Sequence, residues 1–433
     1  MADATEAKLP SGRWTAFWAS GWRRLALLFA VLGPGLVTGV ADDDATGIAG
    51  YALTGAKFGY SLLWVLPLVT VALAVVQESV ARIGVVTGKG LADLIRERFG
   101  VRLTLLAMAT LLVANATTTV AEFAGIAAAA EIFGVSRYVA VPVAAALIFA
   151  IIVLGTYRRV ELLLLIISLV FLSYVVTGFV AGPQWSDVAR GTFVPTLKAD
   201  LSYLTILIGL IGTTITPWGQ FYLQSAVVDK GLAERDYKRA RADAYIGSLV
   251  TTFIAFFIII TTAATLHAKG QPAGTVTEVA QALRPLAGDF AERLFAIGLL
   301  NASLIAAVIL PVSTAYAVCE AFGWERSVSR SIKDAPTFFG LFGGLLVFGA
   351  AAVLIPDMPL LFLLFLPNVV GAVLLPIILV LMLKIVNDRR IMGRWVNSPR
   401  QNIVAWSTTW GLMALTVVYA AVAVLQFAGV IEA

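Results

Sequence analysis

Eleven long apolar stretches, separated by short polar or basic segments, run along the chain at about 25–55, 60–81, 104–133, 138–156, 161–182, 202–227, 243–266, 291–322, 338–355, 359–383 and 402–428. Crossing about 30 Å of hydrocarbon takes some 20 mainly apolar residues in helical conformation, so the pattern predicts an all-α integral membrane protein with about eleven spans. The longest stretches exceed one straight crossing, which suits tilted or interrupted helices. One stretch breaks its own pattern. Between Leu25 and Ala56 the only charged residues are Asp42, Asp43 and Asp44, flanked by Gly33-Pro34-Gly35 and Gly47. A carboxylate at membrane depth costs roughly 2.5–3.5 kcal/mol on insertion scales, and such acids line ion or substrate paths.

Composition agrees with the pattern. Hydrophobic residues make up 60% of the chain and charged residues 13%, with a mean hydropathy of +0.91, well above the roughly 45–50% apolar content of soluble domains. Topology follows from charge, because cytoplasmic loops collect Lys and Arg. With the N-terminus inside, residues 1–24 and the loops near 82–102, 157–161, 228–242, 323–335 and 384–401 hold 24 of the 31 Lys and Arg residues. The expectation is a multi-pass protein of the plasma or inner membrane, N-terminus cytoplasmic and C-terminus outside. The net charge of +5 then reflects topology and anionic lipid, and no nucleic-acid partner is needed. Residues 1–24 lack the pattern of a cleaved signal peptide; Trp14, Trp18 and Trp22 at helical spacing predict an interfacial anchor. The single Cys319 excludes an internal disulfide and reads as a small core residue.

Two spans carry matching interruptions. The first contains Ala41-Asp42-Asp43-Asp44-Ala45-Thr46-Gly47, and the sixth contains Gly212-Thr213-Thr214-Ile215-Thr216-Pro217-Trp218-Gly219-Gln220. Five spans separate them, and an odd number per half turns the second half upside down. This predicts an inverted five-plus-five repeat, residues 25–182 and 202–385, followed by an extra helix at 402–428, as in transporters whose corresponding helices unwind at mid-membrane. Pro217 lacks an amide donor and disfavours a helical residue before it. Two such breaks facing each other would offer carbonyls, hydroxyls and carboxylates at one point, which describes a cation site. Successive helical residues point about 100° apart, so not all three acids can reach one ion.

At these residues the chain resembles the NRAMP family of divalent metal transporters, from about Gly33 to Arg394. The supporting stretches are Gly33-Pro34-Gly35, residues 55–64 (GAKFGYSLLW), residues 81–89 (ARIGVVTGK), Ala121-Glu122-Phe123-Ala124-Gly125 and residues 387–393 (NDRRIMG). The resemblance implies a leucine-transporter-like fold with the ion held between unwound spans 1 and 6. Where typical members have Asp-Pro-Gly-Asn, this chain has Asp44-Ala45-Thr46-Gly47; where they have Met-Pro-His, it has Thr216-Pro217-Trp218. A family acid in span 3 aligns with Thr119 while Glu122 persists, and a family glutamine in span 10 aligns with Asn368. The family's backbone ligands would fall at Ala41 and Thr213.

These departures have a chemical direction. Thioether and imidazole favour late transition metals, whereas hard oxygen donors suit Mg2+, Ca2+ or Mn2+. The chain therefore resembles the magnesium-transporting branch related to the family, and the expected cargo is partly hydrated Mg2+, with Mn2+ also accepted. Asp44 is the first-choice ligand. Asp43 stands next, with Ala41, Gly47, Thr213, Thr216 and Asn368 around the ion; Asp42, Thr119, Glu122 and Trp218 are pathway or proton-related candidates. With the His and one acid missing, proton coupling is expected to be weak or absent. Helix packing is the competing reading for Thr213, Ala41, Thr216 and Asn368, and for Thr119 with its neighbours Asn115, Thr117 and Thr118; Trp218 reads as a cavity wall rather than a cation-π donor. His267 reads as a solvated interface residue, and residues 229–243 as a solvated cytosolic helix. No cofactor and no obligate protein partner is called for beyond the dication and the bilayer. The alternatives are a proton-coupled Mn2+ or Fe2+ importer of the usual family type, or a sodium-coupled carrier of organic solutes, whose anionic substrate three acids would repel. No nucleophile-base constellation suggests an enzyme.

Overall fold

The computed structural model describes residues 33–154, 166–198, 200–271, 273–325, 328 and 331–427. Trp14, Trp18, Trp22 and the basic loop at 157–161 lie outside the described residues. All regular elements among the described residues are helices. The first apolar stretch forms two of them, α1 (Pro34–Asp42) and α2 (Ala45–Phe58). Then follow α3 (Val65–Thr87), α4 (Leu91–Ile132), α5 (Arg137–Val153), α6 (Leu172–Val180) and a short connecting helix α7 (Trp185–Phe193). The sixth stretch is again split, into α8 (Leu201–Thr214) and α9 (Pro217–Asp229). The remainder comprises α10 (Tyr237–Thr265), the short α11 (Val276–Ala280) and α12 (Arg284–Ala287), α13 (Ala291–Phe322), α14 (Pro336–Val353), α15 (Leu360–Val386), α16 (Arg389–Met392) and α17 (Pro399–Phe427).

Eight of the described helical segments are long and apolar enough to cross a membrane, and two shorter apolar helices, Arg137–Val153 and Ser168–Val180, fall where spans are expected. The fold is thus that of a multi-pass membrane protein. Helix α4 contains a break at Gly100 (φ +74°) that separates a surface segment, Leu91 to Phe99, from the span proper; only glycine takes that conformation without strain.

Both halves of the first span lie along α10. A Cβ on Gly35 would sit 2.7 Å from the Ala244 Cα, one on Gly39 2.6 Å from the Gly247 carbonyl oxygen, and one on Gly55 2.3 Å from the Ile259 carbonyl oxygen. Lipid tails are as apolar as leucine, so helices in a bilayer associate through close packing of small residues instead. Asp243 corrects an expectation here. Residues 237–243 are the first turns of α10, and the Asp243 carboxylate accepts the Gly35 and Leu36 amides at 2.6 and 3.2 Å. It satisfies donors that every helix start leaves open, so this end of the presumed solvated helix is a joint with α1. His267 is likewise exposed but attached, its Nδ1 lying 3.1 Å from the Ala56 carbonyl at the end of α2.

Candidate metal centre

The break in the first span is local chemistry. Asp43 leaves the helical region (φ −82°, ψ 48°) and Asp44 is extended (φ −74°, ψ −174°). Asp44 Oδ1 then accepts the Gly47 amide at 2.8 Å and the Thr46 hydroxyl at 2.6 Å, the N-cap arrangement that favours aspartate at a helix start. Gly47 therefore serves the cap, and it has no side chain because a Cβ would lie 2.9 Å from the Asp42 carbonyl oxygen. In the sixth span Ile215 and Thr216 are extended (φ −116° and −89°) immediately before Pro217, as the ring demands.

The two breaks meet. Thr216 Oγ1 donates to Asp42 Oδ1 at 3.0 Å, and Tyr51 Oη lies 3.1 Å from Thr214 Oγ1. Asp42 Oδ2 faces Gln77 Nε2 at 3.5 Å, and Gln77 Oε1 accepts from Ser248 at 3.2 Å. Asp44 turns the other way, towards α4: Glu122 Oε2 accepts the Ala45 amide at 3.3 Å, and its carboxyl meets that of Asp44. The Asn368 amide donates to the Thr46 carbonyl at 2.9 Å, tying α15 to the first turn of α2. Gly50 makes room for it, since a Cβ there would approach Asn368 Nδ2 to 2.7 Å and the Thr213 methyl to 3.6 Å.

Asp42, Asp43 and Asp44 are each 1% exposed and Glu122 is fully buried. Their hydrogen-bond donors among the described residues are hydroxyls and amides, with no cation. Apart from the contact between the Asp44 and Glu122 carboxyls, Asp43 Oδ1, Asp44 Oδ2, Glu122 Oε1 and Thr213 Oγ1 have no hydrogen-bond partner among the described residues. Buried polar atoms are almost always bonded, so four unpartnered oxygens around two helix breaks mark a place built for something else. All are hard donors. Among the described residues no three His, Cys, Asp or Glu side chains converge as a metal cluster, and hydroxyls and amides make up the remaining donors.

Other sequence-singled residues fall around this centre. Ala41 lies in the last turn of α1, whose carbonyls have no intrahelical partner. Trp218 is a buried wall residue, its ring 6.0 Å from that of Tyr222. Thr119 is not drawn in: its hydroxyl bonds back to the Asn115 carbonyl at 2.7 Å, and its methyl packs where a Gly349 Cβ would stand. Asn115 bonds Thr314 across the α4–α13 contact at 2.6 Å, a packing role. Sequence reasoning missed Gln77, Tyr51 and Gln220. Gln77 and Gln220 carried a readable signal, being amides at membrane depth in apolar helices.

Beyond α2, a vestibule of about 810 Å3 opens between α2, α8 and α15, lined by residues including Leu53, Lys57, Asp200, Phe365 and Gln426.

Broken spans paired around a buried oxygen cluster define a membrane carrier of the leucine-transporter-like fold. A closed structure of Mhp1, a nucleobase-cation-symport-1 family transporter, aligns over 91% of each chain with a TM-score of 0.53 at 13% identity. The manganese transporter of Eremococcus coleocola aligns over 97% of this chain and 90% of its own with a TM-score of 0.73 at 21% identity. In sequence, the divalent metal cation transporter MntH 1 of Pseudomonas aeruginosa is 31% identical over 430 residues, 93% of each chain. Residues 35–421 match the Nramp family, natural resistance-associated macrophage protein-like. The chain belongs to the Nramp family, and the match runs past Arg394, where the sequence resemblance was drawn, into α17.

Proposed function

We propose that this chain is a divalent metal cation transporter that carries Mg2+, with Mn2+ accepted, between the breaks of its first and sixth spans. The observation that carries the reading is the set of buried oxygens without a hydrogen-bond donor or acceptor on residues that flank the two breaks, Asp43 Oδ1, Asp44 Oδ2 and Thr213 Oγ1. Asp44 keeps Oδ1 on the helix cap and has Oδ2 for the ion, which fixes the carboxylate before cargo arrives. Thr213 and Ala41 supply further oxygens, and Asn368 holds Thr46 and hence the cap in place. No sulfur or imidazole stands at the site, and Mg2+ is bound through one or two carboxylates with several waters retained. Thr216, shorter than the Met that typical members carry, leaves room for those waters.

The expected residues 25–182 and 202–385 then act as inverted halves around the centre. The vestibule beyond α2 is the outer entrance when the N-terminus is cytoplasmic, and the acids lie below it in a closed state. Each inward charge gains about 2.3 kcal/mol per 100 mV, so a dication needs no coupled proton. Glu122 favours a second reading. Its carboxyl beside Asp44 is placed to hold a proton that a leaving or arriving ion displaces, as a proton-coupled Mn2+ or Fe2+ importer would require.

Uptake by proteoliposomes separates these. Mg2+ and Mn2+ accumulation that outruns Ca2+ and an amino acid, with no acidification of a pH dye inside, is the expected result. Acidification in proportion to metal entry establishes the second reading, and Mn2+ uptake with no Mg2+ uptake refutes the cargo proposed here.

A further inference from the structure

Asp42 is as deeply buried as Asp44 yet belongs to a different set of neighbours. Asp44 faces its own cap and Glu122 of α4, whereas Asp42 faces Thr216 at the start of α9 and Gln77 of α3. Gln220, one turn into α9, folds back so that its Nε2 donates to the Thr216 carbonyl at 3.2 Å. That bond holds the amide at the break. Gln220 is 1% exposed, and its Oε1 has no partner. Beside Asp42 and Thr216 stands Gly219, where a Cβ would lie 2.9 Å from Thr216 Oγ1 and 3.7 Å from Asp42 Oδ1; glycine avoids crowding them.

We infer that Asp42, Thr216 and Gln220 form a second dication position, beside the Asp44 centre and displaced from it towards the α1–α9 side. The inference rests on the transport reading above and deepens it: the ion has two stations, handed from the Asp44 carboxylate to that of Asp42. A carboxylate, a hydroxyl and an amide oxygen are all hard donors, the class that Mg2+ and Mn2+ take. Asp42 Oδ1 and Thr216 Oγ1 are 3.0 Å apart, and adjacent ligands of an octahedral ion with bonds near 2.1 Å are separated by about 3 Å. A rotating hydroxyl that now donates to Asp42 can turn its lone pair to the ion without moving its oxygen. Gln77, anchored by Ser248 at 3.2 Å, steadies the carboxylate.

Counting bound Mn2+ on the purified full-length chain, from the paramagnetic resonance signal of the free ion, tests this. Wild type is expected to bind two Mn2+ per chain. Gln220→Leu and Asp44→Asn should each bind one, and Gln220→Glu should bind two with the second about ten-fold tighter, which a merely packing glutamine would not produce. One Mn2+ on wild type, or two on Gln220→Leu, overturns the second position and leaves the transport reading standing. A wild type that binds no Mn2+ and passes none in liposomes overturns both.

Discussion

The protein buries charge in two neighbouring places and treats it in opposite ways. Glu78 and Arg82 on α3 are 0% and 3% exposed and form a bidentate ion pair, with Nε 3.0 Å from Oε1 and Nη2 3.2 Å from Oε2. Both side chains have further partners. Arg82 also donates to the Trp395 carbonyl and to Asn397, while Tyr237 and Gln401 donate to Glu78 at 2.6 and 2.9 Å. That network fastens α3 and the foot of α10 to the connector before α17. One residue earlier, Gln77 reaches into the other cluster, where the carboxylates of Asp43, Asp44 and Glu122 keep oxygens without partners. Burial of charge is costly in both places. Where the protein supplies an opposite charge and several donors, the cluster is a joint. Where it supplies no cation among the described residues, the cluster keeps oxygens that the proposed cargo would take.

The difference predicts opposite responses to substitution. The largest effect is expected from Arg82→Met, which strands a buried carboxylate and should destabilise the folded protein by about 3–5 kcal/mol. Thermal unfolding in detergent measures it, and the double variant Glu78→Gln/Arg82→Met should recover much of the loss. Asp44→Asn is the counterpart. It keeps a side-chain oxygen for the cap, so apo stability should hardly change, but transport should fall to background. The stabilisation that saturating Mg2+ gives wild type, about 2.7 kcal/mol per site at a hundred-fold excess over Kd, should fall with it to what the Asp42 position alone supplies. An Asp44→Asn protein that still transports and is stabilised by Mg2+ as fully as wild type erases the contrast between the two clusters. Asn368→Ala removes one donor to the Thr46 carbonyl and should cost about 1–2 kcal/mol; a fall in uptake larger than that loss explains would make Asn368 an ion contact. The exposed Lys89–Glu97 pair, 2.6 Å apart, sets the floor. Lys89→Ala should shift stability by about 0.2–1 kcal/mol and leave uptake alone.

Much of the architecture was readable in advance because lipid imposes it. A span must be apolar for some 20 residues and must satisfy its own backbone, so the stretches at 60–81, 202–227 and 359–383 could only become helices. Breaks were legible for the same reason: Pro217 cannot continue a helix, and Asp44 with Gly47 three residues on is an N-cap in one dimension. Residues 229–243 read as solvated and are mostly exposed, yet Asp243 at their end is held by the start of α1, more than two hundred residues earlier. Thr119, at the position of a family acid, makes the helix contacts of its competing reading, with its methyl against α14.

The sequence by itself determined that this chain crosses a membrane many times, that its first and sixth spans are interrupted, and that hard oxygen atoms stand at both interruptions. Helix packing alone decided how the three adjacent acids are shared out: Asp42 to Thr216 and Gln77, Asp44 to its own cap and Glu122. A rotation of about 100° per residue sends neighbours in the chain towards different helices, and which helix each one meets depends on glycine contacts formed with α10, far away along the chain.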